Sequence, residues 1–471
     1  MKLPLLLLPA LCGGCLLGPD FERPDASPYV PDAFRTGPAP DAAPDASPQA
    51  PCAPAVSEAQ WWAAWNDPLL ERLLEQGSST NLTLLQAEAR LRQSRATLDA
   101  ARASLFPSLG LSGSASRSKT FDPDASRSSY RAGGDAAWEI DLFGRNRRTA
   151  EAAEADLEAS GLSVDDARLS LRAEIASDYV ALRLAQASLD IARSNLVAEV
   201  ESAEIARAKG ESGFSSGADV AASEAAIATA RAALPAREAA VSAAARALEQ
   251  LLALPPFALE EELAAPGPIP VAPPPPATAP AELLARRPDV RRAEASLHAA
   301  TARIGAARAA RYPSVNLAAG ASLSADSLSE WSSALKTLSF GPSVSVPLFQ
   351  GGALAAAEER ARAAAEEALL AYHDAVLAAV HEAQRDWTEL DAERARAADL
   401  AEAVRANEEA HEAALALYRA GKGDYTAVLV RRTALLSARL ALAQHRAALA
   451  DLSVSLFRAL GGAPDEEAGQ P

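Results

Sequence analysis

The chain has 471 residues, room for two or three ordinary domains or one elongated body. Its 45 lysines and arginines against 62 aspartates and glutamates give a formal net charge of −17, which argues against general nucleic-acid binding, for which a basic face is required. Hydrophobic residues make up 49% but aromatic residues only 5%, a balance that favours long, alanine-rich helices over a core of large side chains, while the single methionine (Met1) and three cysteines exclude a thioether metal site in the mature chain and a disulfide framework.

Lys2 and the apolar run Leu3 to Leu11 read as an export signal over residues 1–14, too short to span a bilayer. Gly13-Gly14-Cys15 then looks like a bacterial lipobox, with cleavage before Cys15 and acylation of its sulfur and new amine; the alternative is an ordinary signal peptide with an incidental thiol. Leu16, in place of an aspartate, implies the outer membrane. Residues 15–60 form the lipidated N-terminus and a Pro/Ala/Asp-rich tether that cannot pack a core and in which Cys52 is an inert thiol.

The chain then repeats itself at a spacing of 206. Ala87-Glu88-Ala89-Arg90-Leu91 matches Ala293-Glu294-Ala295-Ser296-Leu297, Phe106-Pro107-Ser108 matches Tyr312-Pro313-Ser314, and Leu142-Phe143 matches Leu348-Phe349. A unit of this length is larger than a solenoid repeat and predicts two copies of one architecture. The first copy spans 61–253, with a helix, a β-hairpin over 107–142 and a helical hairpin over 144–253. A proline-rich linker over 254–281 follows, then the second copy over 282–461, with a β-hairpin over 313–349 and a helical hairpin over 351–461, and a flexible tail over 462–471.

Period-two alternation marks the hairpins. One face of the longer strand reads Ala132, Gly134, Ala136, Trp138, Ile140, Leu142; the other carries Arg131, Asp135, Glu139 and Asp141. Polar connections are expected near Arg117–Ser129 and Ala325–Lys336, leaving strands of about ten residues, the length that crosses an outer membrane when tilted. Two amphipathic hairpins packed on helices in a soluble protein are the alternative. Four strands cannot close a membrane barrel, so a spanning role requires several chains: two give eight strands and a filled interior, three give twelve and a lumen. The carboxylates Asp135, Glu139 and Asp141 would bias such a lumen toward cations or simply be solvated there.

The helical stretches Arg145 to about Lys209 and Ala353 to Ala420 contain no proline and would each extend about 100 Å at about 1.5 Å per residue. Their turns are glycine-rich: Gly213, Ser216 and Asp219 in the first, Gly421, Asp424 and Tyr425 in the second, with Ser216 and Asp424 as N-caps and Asp219 in a first helical turn. Trp61, Trp62 and Trp65 read as a packing belt before a membrane anchor. No phosphate-binding loop and no nucleophile motif is present, and the five histidines are not spaced for a metal, so neither a catalytic site nor a cofactor beyond the lipid is expected.

Together these residues resemble the TolC-like outer-membrane factor family, in its lipidated multidrug (RND-type) efflux branch. The segment Cys15-Leu16-Leu17-Gly18-Pro19-Asp20-Phe21, the Trp61-Trp62 to Asp67-Pro68-Leu69 stretch and Arg287-Pro288-Asp289-Val290 carry the likeness. It implies a homotrimer with a shared twelve-stranded β-barrel and a long α-helical barrel of coiled-coil hairpins. It further implies passive export to the exterior, a periplasmic adaptor and an inner-membrane RND-type pump as partners, and outer-membrane lipid around the barrel. By that likeness the two turns are the periplasmic tip, where the adaptor docks and the aperture closes, and the position that often carries an acidic ring is Val430. The alternatives are the outer-membrane channel of a type I protein secretion system and a non-spanning periplasmic coiled-coil adaptor lipoprotein.

Overall fold

The structure is a computed structural model and describes residues 16–31, 33–34, 58–212, 215–274 and 286–462; the lipidation candidate Cys15, the thiol Cys52, the turn glycine Gly213, the export signal and the tail over 463–471 lie outside these residues. The chain divides into two compact units, one of Met1–Ala26, Glu88–Ser163 and Asp289–Ala375, the other of Ser27–Ala87, Val164–Pro288 and Val376–Pro471.

In chain order the helices are α1 (Glu58–Ala63), α2 (Pro68–Thr80), α3 (Leu82–Ala103), α4 (Arg145–Glu211), α5 (Gly217–Leu251), α6 (Glu260–Leu263), α7 (Pro288–Ala309), α8 (Ala353–Arg419) and α9 (Tyr425–Ala459). The strands β1 (Ser108–Phe121) and β2 (Asp124–Ile140) precede α4, and β3 (Ser314–Ala325) and β4 (Leu335–Ser345) precede α8. The repeat is metrical: α4 and α8 have 67 residues each, α5 and α9 have 35 each. The offset is 206 from Ser108 to Ser314 but 208 from Arg145 to Ala353 and from Gly217 to Tyr425, so two residues enter between the second hairpin and α8. No described helix is long and apolar enough to cross a membrane.

The strands differ from the sequence expectation. The polar stretch Arg117–Ser129 is not a connection: β1 and β2 run through it as 14- and 17-residue strands, paired from Ser108↔Ala137 to Phe121↔Asp124, and only residues 122–123 turn. Cross-strand pairs such as Ser116↔Ser129 satisfy the backbone whatever the side-chain polarity, so hydrophobic alternation underestimates a strand that continues into water. In the second hairpin a short 3₁₀ turn, Leu328–Ser333, occupies the polar connection.

In the second unit, side-chain donors close the helix ends that the repeat brings together. Asn81 accepts from Leu84 N–H (3.0 Å) and donates through Nδ2 to Leu251 O at the end of α5 (2.8 Å). At the corresponding place in the second repeat, Arg287 Nη1 donates to Ala459 O at the end of α9 (2.8 Å). Two unlike residues thus satisfy the same orphaned helix carbonyl. The linker between the repeats is fastened: buried Arg183 donates to Ala265 O (3.0 Å), Gln186 to Leu263 O (2.7 Å), and Tyr179 OH, which accepts from Arg183, donates to Asp67 Oδ2 (2.6 Å). The tryptophans are a packing cluster, Trp61, Trp62 and Trp65 all being buried, with Trp61 stacked on Phe457 at a centroid distance of 3.9 Å.

Both return helices close with a Schellman pattern, but with different residues. After α9, Gly461 takes φ 80°. After α5 the same position is Ala253 at φ 53°, with Ala253 N–H donating to Gln250 O (3.1 Å) and Leu254 N–H to Glu249 O (2.8 Å). A left-handed alanine costs about 1 kcal/mol that glycine avoids. Ala253→Gly is therefore expected to raise the melting midpoint of the detergent-solubilised protein, and an unchanged or lower midpoint would refute the strain.

Candidate channel wall and helical tip

The sheet order is β1-β2-β3-β4, all antiparallel, so within one chain β1 and β4 are open edges. The register aligns side chains by face. One set of rows is Leu109–Ala136–Ala319–Phe340 and Leu111–Gly134–Ala321–Leu338; the alternate set is Gly110–Asp135–Gly320–Ser339 and Ser112–Gly133–Ser322–Thr337. One face is thus aliphatic and aromatic, the other made of glycine, hydroxyl and carboxylate groups. Leu109, Leu111, Leu338 and Phe340 are all exposed in the single chain. Burying such a face only in lipid, with a wet opposite face, is the pattern of a membrane β-wall.

The four polar-face residues separate into two groups. Arg131 and Asp135 lie in mid-strand on the polar face. Glu139 is near the end of β2, where Arg145 Nη2 donates to it at 2.5 Å. Asp141, expected in the strand, lies beyond its end at Ile140, and its carboxylate accepts from Arg147 N–H in the first turn of α4 (2.9 Å). Its role there is to satisfy an orphaned helix donor, and the strand ends two residues short of Leu142.

At the turns, the glycines and caps have distinct functions. Ser216 caps α5 by accepting from Asp219 N–H (3.2 Å), while Asp219 Oδ2 accepts from Ser216 N–H (3.1 Å), a reciprocal capping box. The Ser216 backbone donor and the Ser215 hydroxyl hold the Asp219 carboxyl below the usual carboxylate range. Asp424 caps α9 through Thr426 N–H (3.3 Å). Gly421, at φ 72°, ends α8 as Gly421 N–H donates to Tyr418 O (3.1 Å) and Lys422 N–H to Leu417 O (2.9 Å). Tyr425 is buried against Tyr418, with ring centroids 5.3 Å apart, and burial pushes its hydroxyl up to about 12.

Two clusters escaped the sequence reading. Lys209, near the end of α4, places its ammonium 4.2 Å from the centre of the Tyr418 ring and donates to Tyr418 O, and Tyr418 OH lies 3.4 Å from Ser215 Oγ. These contacts link the turn of the first helical hairpin to that of the second. The available signal was chemical scarcity: a lysine and two tyrosines beside the turns of a chain with few aromatics. Further along the same helices, buried Arg432 of α9 pairs with buried Glu199 of α4 at 3.2 Å and donates to Ser202 Oγ (3.2 Å). No signal in the sequence joins residues so far apart.

His411 Nε2 lies 3.4 Å from Arg432 Nη2 and accepts from it. Burial first, then Arg432 and Arg439, lower its basicity, with Glu412 opposing. The folded imidazole thus holds a proton less tightly than the unfolded one. Its contribution to stability is intact above the ordinary histidine pKa of about 6.5 and is lost as pH falls below that value. The melting midpoint should fall between about pH 7.5 and pH 5.5, and fall less in His411→Gln; equal slopes would remove His411 as the cause.

In the first unit, the segment after Cys15 is clamped. Leu17 N–H donates to Phe143 O (3.4 Å); Arg148, buried in α4, donates to Leu17 O (3.1 Å), Asp20 (2.7 Å) and Glu151 (2.8 Å). Gly18 crosses α7 at Gly305, where a Cβ on Gly18 would stand 2.4 Å from Gly305 Cα. Phe21 stacks on His298 at 4.6 Å and Arg23 pairs with Glu294 at 3.0 Å. Removing Arg148 strips this segment of charge-assisted bonds worth about 1–3 kcal/mol. Arg148→Ala should make residues 17–23 the first site of proteolytic nicking, whereas wild-type resistance in the variant would show the clamp to be idle.

A β-wall with one apolar and one polar face, continuous with long paired helices, defines a channel-forming protein of the outer-membrane type. The sequence pattern of the family described as outer membrane efflux protein matches residues 73–254 and again 279–462. The chain is 31% identical over 369 residues to nodulation protein T of Rhizobium leguminosarum bv. trifolii, covering 75% of this chain and 74% of that protein. It is 30% identical over 490 residues to the toluene efflux pump outer membrane protein TtgC of Pseudomonas putida, covering 99% and 96%. Its fold superposes on the outer-membrane channel OprN with a TM-score of 0.84 at 33% identity, covering 95% of this chain and 99% of that one. The chain belongs to the outer membrane efflux protein family, a transport family and not an enzyme family. It is an efflux channel of the outer membrane that extends into the periplasm.

Proposed function

We propose that three copies of this chain close one twelve-stranded barrel and form the passive exit duct of a tripartite efflux assembly, delivering small molecules such as drugs from a periplasmic adaptor and an inner-membrane RND-type pump to the exterior. The observation that carries the reading is the four-stranded sheet with two open edges and opposite faces of opposite polarity. A lone sheet leaves unpaired edges in lipid, which the membrane does not tolerate; three copies remove every edge and leave a lumen. Arg131, Asp135, Glu139 and Asp141 line that lumen or its periplasmic mouth, and Cys15 carries the acyl chains.

The turns are the periplasmic tip. Gly213, Ser216, Asp219, Gly421, Asp424 and Tyr425 form the aperture and the surface that an adaptor grips. The Lys209–Tyr418 contact, which joins the two hairpins, is the element whose population adaptor binding would shift. Energy comes from the pump, and no catalytic step is assigned to this chain.

The first test is the mass of the protein extracted from outer membranes, corrected for bound detergent. Three chains per particle, together with drug hypersensitivity of cells lacking the protein, is the expected result. A monomer with lipid retained would leave four strands unable to close and would favour a non-spanning scaffold.

A further inference from the structure

The chain contains one complete copy of a junction that its sheet edges leave half-made. Past the ends of β2 and β3, Phe143 and Tyr312 bring their rings together at a centroid distance of 5.0 Å. Ile140 pairs with Val315, so Phe143, three residues on, and Tyr312, three residues back, hold opposite positions when that register is continued. At the repeat offset of 206, Phe349 corresponds to Phe143 and Phe106 to Tyr312. Within one chain these two rings cannot meet in the same way. Phe349 follows β4 and Phe106 precedes β1, the two open edges, and the side chains are 90% and 68% exposed.

Carrying the β2–β3 register to β4 and the β1 of a second copy sets Val346 opposite Leu109, Val344 opposite Leu111, Phe340 opposite Ala115 and Phe349 opposite Phe106. Apolar residues then meet apolar ones, and Ser339 and Ser343 meet Ser116 and Ser112. The strand lengths agree: all of β4, Leu335–Ser345, faces positions 110–120, inside β1. One pair opposes this register, Lys336 with Lys119, both exposed near the turns, where salt screens them. The rival is a seam slipped by two residues, because the two hairpins themselves differ by two: Ser108 pairs with Ala137, but Ser314 pairs with Ser345. That slip sets Phe349 opposite Ser108 and Phe340 opposite Arg117, and runs β4 one position past the end of β1. It leaves both exposed rings without an aromatic partner.

We propose that the seam between copies repeats the β2–β3 junction residue for residue, and that it ends in a ring clasp in which Phe349 of one copy packs on Phe106 of the next. The proposal rests on the reading that three copies close one barrel, a reading that fixes neither the register nor the clasp. It is tested on the full chain carrying Cys52→Ser, extracted from outer membranes, with the mass of each variant measured. Cysteine pairs are oxidised with copper phenanthroline and resolved on non-reducing denaturing gels.

Phe106→Cys with Phe349→Cys, and Leu111→Cys with Val344→Cys, should each link chains into covalent trimers. The rival pairs, Ser108→Cys with Phe349→Cys and Gly113→Cys with Val344→Cys, should link roughly fivefold less, since diagonal neighbours stand about 7–8 Å apart against about 5 Å for opposite ones. Phe349→Ala and Phe106→Ala should each speed heat dissociation of the trimer about tenfold. The double variant should go little further, because either change alone removes the ring pair. Equal or stronger linking by the rival pairs overturns the register, and strictly additive effects of the two alanine changes overturn the clasp, in either case with the trimer mass intact. A wild-type mass of one chain overturns the shared barrel, and the seam with it.

Discussion

Arg432→Leu is expected to be the most damaging single change near the tip. The guanidinium and Glu199 are both buried, and Arg432 also bonds Ser202 and His411. Removing the cation leaves a carboxylate in an apolar helix interface, a loss of about 3–5 kcal/mol when a buried pair is broken from one side. Hydrogen exchange should quicken in the lower part of α4 and the first turns of α9, and the melting midpoint should drop. The paired variant Glu199→Leu with Arg432→Leu should recover much of the loss, because two aliphatic side chains replace a desolvated ion pair at little cost. An Arg432→Leu protein with wild-type exchange in α9 would show the pair to be unimportant. If the double variant regains stability but not efflux, the pair serves tip geometry in addition to stability.

Trp61→Ala comes next, with its effect in the second unit's core. The indole is 2% exposed, stacks on Phe457 at an interplanar angle of 8°, and meets Trp62 and Trp65 edge-on at 4.7 and 5.6 Å. Truncation removes a large apolar surface and leaves a cavity, at a cost of about 3–5 kcal/mol. The expected result is a large fall in the melting midpoint and in the amount of protein recovered from outer membranes. Trp61 Nε1 has no hydrogen-bond partner among the described residues, so Trp61→Phe should retain most of the stability. If Trp61→Phe proves as harmful as Trp61→Ala, the indole nitrogen has a partner in the assembled protein and the cluster is more than packing.

Whatever depends on local spacing was present in the chain before it folded. Two identical sets of helix lengths follow from long runs without breakers, and the one interior proline of α5, Pro235, is exposed, so the carbonyl it frees can meet water. Period-two alternation marked the hairpins and sorted Ala132, Gly134, Ala136 and Trp138 from Arg131, Asp135 and Glu139, because side chains alternate across a strand whatever it pairs with. Ser216 and Asp424 were recognisable as caps, and Asp219 as a first-turn residue, because a cap acts on its own next turn.

What tertiary structure alone decided are the partners of groups distant in sequence. Arg432 with Glu199, Arg148 with Leu17 and Asp20, and Lys209 with Tyr418 each join segments more than a hundred residues apart, and nothing in their local sequence specifies the match. Asn81 and Arg287 close equivalent helix ends although they share neither size nor charge, since an orphaned carbonyl requires only a donor within reach. The strand lengths belong here too. Ser116↔Ser129 and its neighbours pair because the hairpin brings two backbones into register, and backbone hydrogen bonds extend a strand past the point where hydrophobic alternation stops marking it.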